Sequence, residues 1–387
     1  MTDSTEQVST PRQEIDSIDT EILALLNRRA EIALRVGAAK SVAERSLCDP
    51  KREVEVIERL KAKNAGPLDG KSIENIFQRV LEESLQLQQR TYSNELPNKE
   101  AEPDSFSNLK AGTRVAFQGE PGSFSEEAVQ TLLDGKLVAV ATETFEELFA
   151  AIDDGKADMI LSPLENSLVG SVHRCYDLLL SGEFSIVGEV ILPISHYIVS
   201  NHAASFESIR TVESHPVALA QCERLFAAYP HLEKVAATDT AGSIKRVIES
   251  EDPTRAALGA KRAAEIYDGK ILRAHVEDDP ENYTRFALLS RKGVNSGEGN
   301  KISLIVRLKH QPGSLHSALR PFVRRGINLQ KIESRPIKGS PGDFNFYFDL
   351  IAPTNESELK SALDEIDEHA DEVIFLGRYS TIRKERQ

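Results

Sequence analysis

Residues 15–40 read IDSIDTEILALLNRRAEIALRVGAAK, and the spacing of their apolar positions decides the architecture of the first part of the chain. Ile15, Ile18, Ile22, Leu25, Leu26, Ile32, Ala33 and Val36 recur at helical spacing and form one stripe of an amphipathic helix. Two cations, Arg29 and Lys40, lie on or beside that stripe, where a solvated charge would normally take the opposite face. Eleven residues separate them, which returns them to within roughly 20° of one direction, about 16 Å apart along the axis. A cation turned toward a core is costly unless a counter-charge meets it. The spacing therefore predicts a small dianion held inside a helical bundle.

Working outward, residues 8–93 read as all helix. Asp49-Pro50 is a cap followed by a first-turn proline, opening a second helix through Val54, Ile57 and Leu60. Gly66-Pro67 breaks it, and a third helix runs from about Ser72 to Arg90. Three such helices make a thin bundle, so a second copy is expected to complete the core. Polar residues also recur at inward positions: Asp49, Arg52 and Glu53 on the second helix, and Ser84 and Gln88 as an i,i+4 pair on the third. Arg12 precedes Arg29 by seventeen residues, about 25 Å along an ideal helix. It cannot share a small ligand with Arg29 of its own chain, but it can reach the site of an antiparallel partner.

The chain has 387 residues, room for two or three domains, with a net charge of −14. That charge argues against nucleic acid or an anionic membrane as a partner. No apolar run has the length of a membrane span, and the polar, acidic start is unlike a signal peptide. Cys48, Cys175 and Cys222 are an odd number, far apart, as expected of reduced thiols in a cytoplasmic protein.

Residues 94–111 are a polar linker with Pro97 and Pro103. Residues 112–292 alternate short strands with helices, an α/β pattern. A second linker, 293–300, is rich in Gly, Ser and Asn. Residues 301–380 then follow a βαββαβ order, the ferredoxin-like α+β arrangement, with Pro321 expected to bend or interrupt its first helix. The fold class is thus multidomain: all-α, then α/β in two lobes, then α+β.

Arg12, Arg29, Lys40, Asp49, Arg52, Glu53, Ser84 and Gln88, with the runs LALLNRR (23–29) and VGAAK (36–40), resemble the all-helical chorismate mutases. For any one of these residues the plainer reading is a solvated surface charge; together they fill every polar position of that family's site. The resemblance implies rearrangement of chorismate to prephenate without metal, nucleophile or redox cofactor. The catalyst then holds a dianion in a chair-like conformer and stabilises charge on the breaking ether oxygen. It implies Arg29 and a partner's Arg12 on the carboxylates, and Lys40 and Gln88 on the ether oxygen. Asp49 and Glu53 would address the hydroxyl side, with Arg52 and Ser84 completing the pocket.

In the α/β part, polar clusters follow strands, where such folds place ligands. They are Gly119-Glu120-Pro121-Gly122-Ser123-Phe124-Ser125, Glu165-Asn166-Ser167, Ser214-His215-Pro216 and Asn282-Tyr283-Thr284-Arg285-Phe286. A glycine turn of this kind binds a carboxylate or merely caps a helix. The four clusters in this order resemble prephenate dehydratases, with Thr-Arg-Phe as the most characteristic signature. The resemblance implies loss of the ring hydroxyl and a carboxylate to give phenylpyruvate. Thr284 is then the essential donor, and Ser123, Asn166, Ser167, Ser214 and Arg285 are candidate prephenate contacts. His215 is either an acid or a cap. Many relatives carry Gln where this chain has Val217, so no role passes to that position.

Finally, Gly313-Ser314-Leu315 and Glu333-Ser334-Arg335 resemble the two motifs of dehydratase-linked ACT domains, with Ser314 where alanine is usual. The resemblance implies phenylalanine bound at a domain interface and lowering activity. A mutase fused to a dehydrogenase would need a G-x-G-x-x-G turn, and the chain has none. A non-catalytic ligand sensor conflicts with the filled mutase pocket and Thr284. Use of arogenate in place of prephenate stays open.

Overall fold

The computed structural model describes residues 3–42, 47–92, 109–181, 183–291, 299–337, 339–340, 342–353 and 355–386. Most of the linker expected at 94–111, and most of that at 293–300, lies outside them. The chain forms two compact units, one of residues 1–99 with 306–373 and one of residues 100–305 with 374–387.

In the first unit three helices follow one another: α1 (Asp3–Val42), α2 (Pro50–Lys63) and α3 (Gly70–Tyr92). Asp49 caps α2 by accepting a hydrogen bond from the Arg52 amide at 3.1 Å, as its place before Pro50 predicts. Lys61 reaches across to Glu74 of α3 at 2.6 Å. The small core gathers Ile57, Ile73 and Leu85. The stripe on α1 stays largely uncovered, with Ile15, Ile18 and Leu25 between 54% and 64% exposed. So large an apolar face is unusual on a finished surface.

The same unit carries most of a four-stranded sheet in the order β13–β14–β12–β15, that of a ferredoxin-like fold. Its strands are β12 (Lys301–Leu308), β13 (Leu329–Pro336), β14 (Phe344–Ile351) and β15 (Ala370–Tyr379), with helices α11 (Ser314–Arg324) and α12 (Glu356–Asp367). Pro321 does not interrupt α11; the helix runs through it and ends at Arg324.

The second unit has two α/β lobes. The first is built on a sheet ordered β16–β5–β11–β3–β1–β2, with β4 (Gly170–Ser171) beside β3. Strands β1 (Arg114–Gln118), β2 (Val138–Thr142) and β3 (Met159–Asn166) run parallel. β11 (Tyr283–Arg291) runs antiparallel to both β3 and β5 (Phe184–Pro193). Helices α4 (Phe124–Thr131), α5 (Phe145–Ala150) and α6 (His173–Ser181) belong to this lobe, whose core includes Phe117, Val129, Leu161 and Phe286. A short β16 (Thr381–Arg383), beyond the βαββαβ segment, lies parallel to β5.

The second lobe orders its strands β10–β6–β9–β7–β8. They are β6 (Tyr197–Ser200), β7 (Thr211–Ser214), β8 (Glu233–Ala236), β9 (Arg255–Gly259) and β10 (Lys270–Arg273). Helices α7 (Pro216–Ala220), α8 (Glu223–Ala228), α9 (Ala241–Glu249) and α10 (Lys261–Ile266) flank them. Cys48, Cys175 and Cys222 are buried and unbridged. Burial raises all three thiols, Cys175 to about 12.

Candidate active sites

Three of the expected mutase residues meet where α1 lies against α3. Arg29 donates through Nη1 to Ser84 Oγ at 2.5 Å and to the Val80 carbonyl at 3.4 Å. One turn further, Gln88 Nε2 donates to the Ala33 carbonyl at 2.5 Å. Partial burial draws the Arg29 guanidinium below its ordinary value. Lys40 donates to the Leu47 carbonyl at 3.0 Å, at the far end of α1.

The other four residues are not brought to this row within one chain. Arg12 is exposed. Asp49 serves as the α2 cap, and Arg52 turns outward to Glu55 at 2.8 Å. Glu53 pairs with Arg324 at the end of α11, a contact the sequence did not signal.

In the dehydratase-like unit, the loop 119–123 is clamped between the lobes. Glu126 accepts from the Gly122 amide at 2.6 Å and from Arg262 of α10 at 3.1 Å. Tyr267 adds a hydrogen bond to the Pro121 carbonyl at 3.1 Å. Gly122 holds φ at +86°, and a Cβ there would lie 2.6 Å from the Ala263 backbone. Only glycine allows that approach. Ser123 caps α4 by accepting from the Glu126 amide at 3.3 Å.

Asn166 and Thr284 lie opposite each other at the ends of β3 and β11. The Asn166 carbonyl oxygen accepts from the Leu168 and Val169 amides, both at 3.1 Å, which fixes the orientation of its amide. Its nitrogen therefore faces inward. It donates to Asn282 Oδ1 at 2.7 Å and to Thr284 Oγ1 at 3.0 Å, with the Tyr283 carbonyl at 3.1 Å. Toward Asn166 the Thr284 hydroxyl is thus an acceptor, and its own hydrogen points elsewhere. Ser167 locks the same corner, donating to the Glu281 carbonyl at 2.8 Å and accepting from the Tyr283 amide at 2.9 Å.

The order of donors continues inward. Asn282, with its oxygen taken by Asn166, donates to Gln221 Oε1 at 3.1 Å. The same Gln221 oxygen lies 2.9 Å from His196 Nε2. Asn282 is fully buried and His196 nearly so. Gln221, at the end of α7, and His196 are site neighbours that no local sequence pattern marks, and Asn282 is marked only through its cluster.

The remaining expected contacts are committed to the scaffold. Ser214 is buried and donates to the Leu258 carbonyl at 2.6 Å. His215 caps α7, its Nδ1 accepting from the Val217 amide at 3.2 Å, so the cap reading describes what it does here. Arg285 departs most from expectation as a substrate contact. Neighbouring strand residues face opposite sides, and its guanidinium is buried against Glu189, with Tyr379 Oη at 3.2 Å.

At the C-terminal sheet, Gly313 caps α11 with φ at +85°. A cleft of about 240 Å³ opens there, lined by Leu308, Ser314, Leu315, Phe344 and Phe346. Glu333, Ser334 and Arg335 lie on the edge strand β13, with Ser334 opposite Phe346 of β14. Among the described residues no cluster suited to a metal ion occurs, and no helix is long and apolar enough to cross a membrane.

An Arg–Ser–Gln row on helices, a hydroxyl–amide network between α/β lobes and a ferredoxin-like module define a multidomain enzyme acting on small polar substrates. Family comparison makes this specific. The type II chorismate mutase model matches residues 11–89, the prephenate dehydratase model residues 115–294 and the ACT domain model residues 302–369. A bifunctional chorismate mutase/prephenate dehydratase of Neisseria gonorrhoeae is 32% identical, over 96% of each chain. Arogenate dehydratase/prephenate dehydratase 2 of Arabidopsis thaliana is 36% identical, over 85% of this chain and 87% of its own. The crystal structure of a prephenate dehydratase from Arthrobacter aurescens in complex with L-Phe superposes with a TM-score of 0.64. It is 28% identical, covering 69% of this chain and 90% of that one. The chain belongs to the bifunctional chorismate mutase/prephenate dehydratase family, with both activities and a place in phenylalanine biosynthesis.

Proposed function

We propose that residues 8–93 convert chorismate to prephenate, that residues 112–292 convert prephenate to phenylpyruvate, and that residues 301–380 bind phenylalanine and lower the second activity. The observation that carries this reading is the ordered amide at Asn166, which leaves the Thr284 hydroxyl hydrogen available to a substrate. Aromatisation drives the dehydratase step, so the protein must mainly protonate or hydrogen-bond a departing hydroxyl and hold two carboxylates. Thr284 does the first. For the second, Ser123 and the start of α4 are the proposed carboxylate contacts, because the amides of Gly119, Gly122, Ser123 and Ser167 are already engaged within the protein.

In the mutase part, Arg29 supplies one carboxylate contact and Arg12 of the partner subunit the other. Exposure of Ile15, Ile18 and Leu25 supports the pairing of two copies along α1. Gln88 and Lys40 address the ether oxygen, and such donors act most strongly where charge develops. Lys40→Ala is therefore expected to lower mutase kcat about a hundredfold or more without unfolding the chain. Near-normal turnover in the folded variant would remove Lys40 from that role.

In the regulatory part, the cleft beside Gly313 and the edge strand carrying Glu333, Ser334 and Arg335 are the phenylalanine contacts, the second from a neighbouring module. We place the protein in the cytoplasm. The test is incubation of the purified chain with chorismate alone, with products identified by mass spectrometry with and without phenylalanine. Phenylpyruvate that falls when phenylalanine is added is the expected result. Prephenate accumulating alone would refute the dehydratase assignment. The arogenate activity in the name of the Arabidopsis relative makes arogenate the second substrate to offer.

A further inference from the structure

We propose that His196 is a positioning residue of the dehydratase reaction, acting through Gln221 and Asn282 to hold the Asn166 amide against Thr284. The inference rests on the reading of Thr284 as the donor to the departing hydroxyl.

The direction of every bond in the relay follows from one fixed end. Backbone amides of Leu168 and Val169 require the Asn166 oxygen, so its nitrogen must face Asn282 and Thr284. Asn282 then presents its oxygen to Asn166 and its nitrogen to Gln221. Gln221 consequently offers only its oxygen at that point, and this oxygen also faces His196 Nε2 at 2.9 Å. Two acceptors cannot share a hydrogen bond, so Nε2 carries the proton and donates. If the proton sat on Nδ1, Gln221 would turn its amide, and Asn282 Nδ2 would meet a donor. The whole chain, down to the Thr284 oxygen, is set by one imidazole tautomer.

The ring is held for this task. The His196 amide donates to Glu277 at 2.8 Å, and its carbonyl accepts from the Val276 amide at 3.0 Å. The edge contact with Phe124, with ring centroids 5.6 Å apart, joins it to the loop that ends at Ser123. Nδ1 is buried with no partner among the described residues. Burial holds the imidazole below its ordinary value, so the neutral ring persists, and with it a single donor. Asn166 has two N–H groups for three acceptors. The position of Asn282 Oδ1 therefore decides how the two hydrogens are shared between Thr284 and the Tyr283 carbonyl.

The test compares His196→Gln with His196→Asn, beside His196→Leu and Thr284→Ala. Gln reaches the Nε2 position with an amide N–H, whereas Asn is one methylene too short. For a positioning residue, His196→Gln retains most of kcat, while His196→Asn and His196→Leu lose about ten- to a hundredfold with KM little changed. Equal kcat in the Gln and Asn variants, both high or both low at matched Tm, would overturn the proposal. This pair decides the matter even where the Leu variant does not fold. Thr284→Ala separates the two readings: full activity there defeats the Thr284 assignment itself. Loss there, with Gln and Asn indistinguishable at 196, defeats only the role of His196.

Discussion

Thr284→Val should reduce prephenate turnover by about 10²–10⁴-fold, the range typical of losing a positioned proton donor, while chorismate is still converted to prephenate. Hydroxide is a poor leaving group, and the ring cannot aromatise until that oxygen gains a proton or a strong hydrogen bond. The Thr284 oxygen already accepts from Asn166, so its single hydrogen is the one it can give. Valine keeps the shape and removes the donor. It also deprives the Asn166 amide of an acceptor, although Asn282 and the Tyr283 carbonyl remain. Thr284→Ser should retain a substantial fraction of the rate, because the hydroxyl survives. Stopped-flow or steady-state formation of phenylpyruvate from prephenate measures each. A folded valine variant with unchanged kcat would show that the proton comes from elsewhere.

Much of this arrangement was legible from the residues, for identifiable reasons. Periodicity of 3.6 reveals helices because their apolar faces are long; α1, α2 and α3 each repeat the pattern over several turns. Asp49-Pro50 and the glycine at 313 announce helix ends through local chemistry alone. The relay behind Thr284 has no such local mark. Asn166 and Asn282 meet across 116 positions, and a buried asparagine looks no different in a sequence from one in a loop. Arg285 belongs to the same Thr-Arg-Phe signature as Thr284, yet a strand turns neighbours to opposite faces, and its guanidinium meets Glu189. The sequence does carry a mark of that pairing: Glu189 is the only charge in the buried run FSIVGEVILP of β5, and an isolated carboxylate in such a strand calls for a cation. The strand β16 is three residues long, too short for periodicity to show, and exists through its pairing with β5.

The same carboxylate sets the second large effect. Glu189 has no exposed surface, and Arg285 and Lys301 both close on it; each of its oxygens lies 3.0 Å from Lys301 Nζ. Thr381 donates to it at 3.0 Å, and Tyr379, in turn, contacts Arg285 at 3.2 Å and Ser303 at 2.6 Å. Residues of β5, β11, β12, β15 and the short β16 are thus joined around one charge. Removing a single member of a buried ion cluster costs about 3–5 kcal/mol, because the opposite charges stay behind in a poor solvent. Glu189→Leu should therefore lower the melting temperature of this unit by about 10 °C. Adding Lys301→Met to that variant removes one of the stranded cations, so the double variant should recover part of the loss. Calorimetry of the two single variants and the double variant gives the coupling directly. Additive losses would mean that the cluster contributes no coupled stability. Recovery in the double variant would instead place part of the stability around the Thr284 strand in contacts with the first strand of the regulatory segment. A mutation at the start of that segment would then be felt at β11, one residue from the Thr284 hydroxyl.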